Sequence, residues 1–289
     1  MPVCHPKKRK LGRPNFVMHK VDPFSSATRT LRDGFLEFLE AVHNRKKGVV
    51  IASSQRCGTH LIGAHLKAVG IGTPGEHFLE YLNSKTDDLA HGDQLAETVR
   101  RILPEGAGHT SDAFSVVLMG YTQKITADLE AIGLSGSLLG RSLRHLSWIW
   151  LRRDWVDVAI SHYFAVSSGI WESRAGHHAA PPFDAEKIRR WWRHVQDIEA
   201  FWQSFFTKHG IAPAELDYAQ LVRDPTVLAP LVTTAGGNPE CLGAATPPER
   251  MPHARLKQEY AMRFRDLLAE ERSKQLTAQA LARRQYATD

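Results

Sequence analysis

The chain has 289 residues, 43% of them hydrophobic, and a formal charge of +6, so it holds enough apolar material to bury a sizeable core in one large domain. Lys7, Lys8, Arg9, Lys10, Arg13 and Lys20 all precede the first acid, and removing those six from 37 basic residues leaves 31 against 31 acids; the body is neutral on balance, which argues against a nucleic-acid-coating protein. Cys4, Cys57 and Cys241 are few and far apart, which argues against a disulfide or CxxC zinc framework and suits a reducing compartment, and no stretch approaches the ~20 apolar residues of a membrane span.

Residues 1–22 have no apolar segment of the secretory kind. Their basic run over residues 7–20 reads as a solvated, disordered arm, with an anionic membrane surface, a nucleic acid or nuclear import as functional alternatives. Residues 23–289 read as one α/β domain. Leu31, Phe35, Phe38, Leu39 and Val42 recur at helical spacing, so a helix is expected over 30–45. Val49, Val50 and Ile51 then form a β-branched run suited to a strand buried on both faces. Gly58 and Thr59 open a second helical pattern through Leu61, Ile62, His65, Leu66 and Val69.

A strand that turns into a helix over Ser53 to Thr59 aims the backbone amides of Cys57 to Leu61 and the positive helix end at one point, a site for phosphate or sulfate. Arg56 adds a charged fork, and Ser54, Thr59 and His60 add donors. The plainer alternative is a tight turn that merely needs glycine. The turn lacks the GxxxxGK[ST] of a triphosphate P-loop.

The segment GIGTPGEHFLEYL gives a Gly/Pro turn and a short helix starting near Glu76, whose carboxylate would lie close to the anion site or simply oppose a helix dipole. Residues 83–112 suggest one helix and a long loop, 114–119 a strand and 125–132 a helix. The stretch GLSGSLLGRS, residues 133–142, is flexible by composition. Leu146 to Leu151 is a third strand candidate, and it runs straight into RRDWVDVAISHYF, where Asp154 can cap a helix and Asp157 complete a capping pair. Arg152 and Arg153 stand at the strand end, and Ser161 lies two turns into the helix. Together they can hold an anion, although a surface salt bridge is the default for isolated arginines.

Beyond Pro181-Pro182, the positions Ile188, Trp191, Val195, Ile198, Trp202 and Phe205 mark one face of a long helix. Core packing accounts for the tryptophans, with a sugar-stacking wall as the alternative. Leu216 to Leu221 and Asp224-Pro225 suggest a late strand and a helix, and His177-His178 reads as solvated loop, without metal-ligand spacing.

In wording and order, SSQRCGTHL, GIGTPGEHF, RDWVDVAIS and AISHYFAVSSGIWE resemble the PAPS-dependent sulfotransferases, specifically the trehalose 2-sulfotransferase-like carbohydrate family. PAPS is 3′-phosphoadenosine 5′-phosphosulfate, the sulfuryl donor. The resemblance implies a P-loop-like, mainly parallel sheet flanked by helices on both faces. It implies sulfuryl transfer from PAPS to a carbohydrate or glycolipid hydroxyl, without a metal, by a homodimer in the cytoplasm, at the inner membrane surface if the arm binds there. Ser54, Gln55, Arg56, Cys57, Gly58, Thr59 and His60 would form the 5′-phosphosulfate loop, with Arg56 stabilising developing charge.

In that family an Arg and a Ser eight positions later hold the 3′-phosphate, which gives Arg153 and Ser161, with Arg152 as the other frame. The closing segment from Met251 would supply Arg255. Glu76 matches the family's general base, with His77 and His60 next in line. Two departures stand out: Gln220 replaces the usual Asp, and Leu118 takes the position of a lysine, which removes a contact and points to a different acceptor or a weaker reaction. The rival readings are a P-loop kinase using ATP and a non-catalytic adaptor acting through the basic arm.

Overall fold

In a computed structural model of the chain, residues 25–83, 91–107, 113–169, 171, 179–244 and 253–286 are described. The basic arm, His177-His178 and the first residues of the closing segment lie outside them. Helix α1 (Ser26–His43) leads into strand β1 (Gly48–Ser53), followed by α2 (Thr59–Ala68), α3 (Phe78–Asn83), α4 (Gly92–Ala107), β2 (Phe114–Leu118), α5 (Thr122–Ala131) and α6 (Leu138–Leu143). Next come β3 (Ser147–Arg152), α7 (Trp155–Ser168), α8 (Ala185–His209), β4 (Ala214–Asp217), α9 (Tyr218–Arg223), α10 (Ala229–Ala235) and α11 (Ala254–Tyr286).

The four strands pair in parallel in the order β2-β1-β3-β4. Because successive strand residues point to opposite faces, β1 feeds two cores. Val50 and Ala52 meet β2 and β3 side chains under α1, α3, α4, α5, α6 and α8, including Phe35, Phe114, Trp148 and Trp202. Val49 and Ile51 face the other way, onto Leu61, Ile62 and Leu66 of α2, Leu221 of α9 and Val232 of α10. The expected α/β sheet with helices on both faces is what forms. Each such fully buried side chain contributes about 1.5–3 kcal/mol. A third cluster joins α7, α8 and α11 through Ile160, Phe164, Ile188, Tyr260 and Phe264.

Local signals set most boundaries. Ser25 caps α1 by accepting from Thr28 N at 3.1 Å, so the helix begins four residues before its expected start. Asp154 Oδ1 caps α7, accepting from Val156 N at 2.9 Å and Asp157 N at 3.0 Å. Asp157 completes no capping pair; its carboxylate accepts from Arg265 Nη2 of α11 at 2.8 Å. The segment expected to be flexible holds α6, because Leu139 and Leu143 are buried in the first core and their burial outweighs the glycines around them.

Topology fixes where the loops meet. From β1 the chain goes to β2 on one side and then to β3 on the other, so the carboxyl end of β1 lies where strand order reverses, the place at which open parallel sheets leave a crevice. The β1–α2 turn and the β3–α7 turn both sit there.

Candidate active site

The β1–α2 turn is built on unusual backbone. Arg56 is held at φ 70° and Gly58 at φ 102°; for a non-glycine residue the left-handed region costs roughly 1–3 kcal/mol, a strain that clusters at functional sites. Gly58 is required for a second reason, since a Cβ there would lie 2.3 Å from the Tyr218 ring. Ser54 Oγ and Cys57 Sγ sit 2.9 Å apart beneath the turn, and burial pushes the Cys57 thiol up to about 11, so it is a packing group and no nucleophile. Helix α2 starts at Gly58 without a side-chain cap. Leu61 N is spent on Gly58 O at 3.0 Å, which narrows the expected donor set to the amides before it.

The two turns touch. Arg56 Nε donates to Ser161 Oγ at 3.3 Å, across 105 residues of sequence, and Arg56 Nη1 donates to Trp171 O at 2.7 Å. Arg153 Nη1 reaches back to Arg56 O at 3.4 Å, and its guanidinium lies 4.7 Å from the centre of the Tyr218 ring. Burial depresses Arg56, with Glu76 opposing and Arg153 adding to the depression; an anion beside it would favour its charged form.

The neighbouring arginines have separate fates. Arg152 Nε pairs with Glu199 Oε2 at 3.0 Å and Arg152 Nη1 with Glu215 Oε2 at 3.2 Å, while its guanidinium covers Trp150 at 4.6 Å. A cavity of about 690 Å³ opens beside Arg153, but two other arginines on its wall, Arg152 and Arg265, are already held by carboxylates. Among the described residues, Arg153 has no carboxylate at ion-pair distance and faces the loop instead.

Glu76 lies between the Gly/Pro turn and α3, and Leu79 N donates to its carbonyl at 2.7 Å. Thr59 Oγ1 donates to Glu76 Oε1 at 3.5 Å, so the carboxylate stands at the start of α2 as its sequence position suggested. Burial raises the Glu76 pKa, with His60, Arg56 and Thr59 pulling it back. An acid raised in this way takes up a proton more readily than an ordinary carboxylate, which suits a proton acceptor. His77 is turned elsewhere, with Nε2 at 2.9 Å from Thr73 O and Nδ1 at 3.3 Å from Glu105 Oε2. His60 is exposed, close enough to act on Glu76 through charge. Gln55 Oε1 is buried with no hydrogen-bond partner, near the position a Cβ on Gly120 would occupy.

Leu118 is fully buried in the first core. From the same stretch the partly buried Tyr121 comes nearer the site: burial and the Glu76 charge raise its phenol, while its hydroxyl donates to Val117 O at 3.1 Å.

The closing segment contributes a different cation from the one expected. Arg255 is exposed at the start of α11. Lys257, half-buried, lies 5.3 Å from the Phe164 ring, and burial together with Arg56 and Arg153 pushes it down to about 8. Its signal was present in the sequence, because the inward face Tyr260, Ala261 and Phe264 runs back at spacings of three and four to position 257 and misses 255.

Arg56, Arg153 and Lys257 thus gather three cations around two backbone turns, with Ser161 and Thr59 as hydroxyl donors and Glu76 as the acid. The arrangement can hold a doubly charged anion at separate points and can take a proton from a hydroxyl. Among the described residues no group of three or more His, Cys, Asp or Glu side chains is placed to hold a metal ion. The family model described as Stf0 sulphotransferase matches residues 48–266. None of the curated proteins matches the chain.

Proposed function

Because the chain belongs to the Stf0 sulphotransferase family and so to the enzymes of sulfuryl transfer, we propose that its donor is PAPS and its acceptor a carbohydrate or glycolipid hydroxyl. The observation that supports the donor reading is the 3.3 Å contact between Arg56 Nε and Ser161 Oγ, one residue from each of the two stretches that resemble phosphate motifs. The residues suit a nucleotide charged at both ends. The uncapped turn and Arg56 fit the 5′-phosphosulfate, and Arg153, Ser161 and Lys257 fit the 3′-phosphate. Arg152, committed to Glu199 and Glu215, serves the scaffold, and the exposed Arg255 is left out of the set.

PAPS, when bound, supplies an activated sulfuryl group on a phosphate leaving group. The protein's share is to align and to stabilise charge. Arg56 and the amides of Cys57, Gly58, Thr59 and His60 would hold the oxygens on which charge builds. Glu76 receives the acceptor's hydroxyl proton, favoured by its raised pKa and steered by the Thr59 hydroxyl. Tyr121 and Cys57 stay protonated under their burial and shape the floor. The carbohydrate acceptor, the homodimer and a cytoplasmic place of action, with the basic arm at an anionic surface, belong to the same reading and rest on the family resemblance. Among the described residues no helix is long and apolar enough to cross a membrane.

Calorimetry with 3′-phosphoadenosine 5′-phosphate (PAP), ATP and AMP tests the donor. PAP is expected to bind most tightly, and Arg56→Ala and Arg153→Ala to lose that preference. Equal affinity for AMP, or ATP preferred, refutes it.

A further inference from the structure

Three rings gather around His162, near Arg56. The His162 ring stacks on Trp191 with centroids 3.9 Å apart and planes at 17°. It meets Trp171 edge-on at 5.6 Å and His194 edge-on at 6.0 Å. Burial, then His194 and Arg56, push the His162 imidazole down to about 3, so it is a neutral ring at working pH and braces its neighbours by packing.

Trp171 differs from the others. It is 47% exposed, yet its carbonyl is fixed to Arg56 Nη1 at 2.7 Å and its ring is braced by His162. Its indole is thus oriented and solvated, and its main chain is tied to the anion loop. The other exposed large apolar residues are Leu36, Leu79, Val222, Met262 and Leu276, and among the described residues none of these bonds to the loop.

We propose that Trp171 is the stacking platform of the acceptor site, taking the C–H face of a pyranose ring while Arg56 ties that platform to the point of transfer. This rests on the sulfuryl-transfer reading above. An indole suits a sugar because its flat apolar face covers axial hydrogens and its N–H can reach a hydroxyl. The platform therefore selects cyclic acceptors over open-chain polyols that offer the same hydroxyls, and it acts on acceptor binding with no part in proton transfer.

Saturation-transfer NMR on the PAP complex tests this with a panel of glucose disaccharides and with sorbitol as the open-chain control. The ring C–H protons of at least one disaccharide should receive saturation, sorbitol should not, and Trp171→Ala should lose the signal while Trp171→Phe keeps part of it. In turnover, Trp171→Ala should raise the acceptor KM roughly tenfold with kcat little changed, and PAP affinity should hold in both variants. If PAP binds as in the wild type while no disaccharide is saturated, or while Trp171→Ala behaves as the wild type, the platform is wrong. If PAP fails to bind the wild type, the donor reading falls first and the platform with it.

Discussion

Lys257 makes donor binding a proton-linked event. Burial, Arg56 and Arg153 hold its ammonium at about 8 in the free protein. A phosphate placed among these three cations offsets the two arginine charges and pairs with the ammonium, so the group rises from that value while its burial stays. Binding must then draw a proton from buffer wherever Lys257 is neutral when free and charged when bound. The uptake rises with pH toward a ceiling set by the neutral fraction of free Lys257, about 0.1 per site at pH 7, about 0.5 at pH 8 and about 0.9 at pH 9. At pH 9 the phosphates of PAP do not confuse the count, since their second ionisation lies near pH 6 and is complete there, whereas at pH 7 each still carries about 0.1 proton.

Titration calorimetry at pH 9 in two buffers of different ionisation enthalpy reads the number directly as the slope of apparent heat against buffer heat. Lys257→Gln should bring the slope close to zero and weaken PAP binding more at pH 7 than at pH 9. A wild-type slope of zero at pH 9, or an unchanged slope in Lys257→Gln, would refute the placement of Lys257 at the phosphate.

The proton acceptor and the scaffold arginine give two further outcomes. Glu76→Gln should lower kcat by about 10²–10⁴-fold, the usual share of a general base, with PAP affinity unchanged. Because burial raises Glu76, wild-type kcat should fall as pH drops through a value above the ordinary carboxylate range; an acid limb that survives in Glu76→Gln assigns the base elsewhere. Arg152→Ala strands Glu199, which is 5% exposed and already raised by burial, and should cost about 1–3 kcal/mol in urea unfolding at pH 7. A buried acid that holds its proton more tightly folded than unfolded makes stability decline as pH rises from the unfolded pKa, so the deficit should shrink toward pH 4. A flat deficit, or PAP affinity lost with stability kept, would instead put Arg152 at the nucleotide.

Sequence by itself determined what depends on neighbours along the chain. The β-branched run at Val49 to Ile51 makes a strand wherever it is buried, Gly58 supplies the left-handed turn into the next helix, and Asp154 caps the helix that follows it through amides two and three residues away. The spacing of Ile188, Val195, Ile198 and Trp202 likewise sets one face of α8. These effects act over one or two turns and survive any choice of partner.

The tertiary structure alone decided between adjacent or near-identical charges. Arg152 and Arg153 differ by one position, but successive residues at a strand end project to opposite sides. One therefore meets Glu199 and Glu215, and the other meets the Arg56 turn. Arg255 and Lys257 were separated by which face of α11 packs on Phe164, and Asp157 was drawn from its cap by Arg265, more than a hundred residues away in sequence. Trp171 acquired its place through Arg56, whose Nη1 donates to its carbonyl, and through the edge of the His162 ring. A charged side chain carries no local preference for its partner, so its role is settled only when the sheet order brings distant turns within a few ångströms of each other.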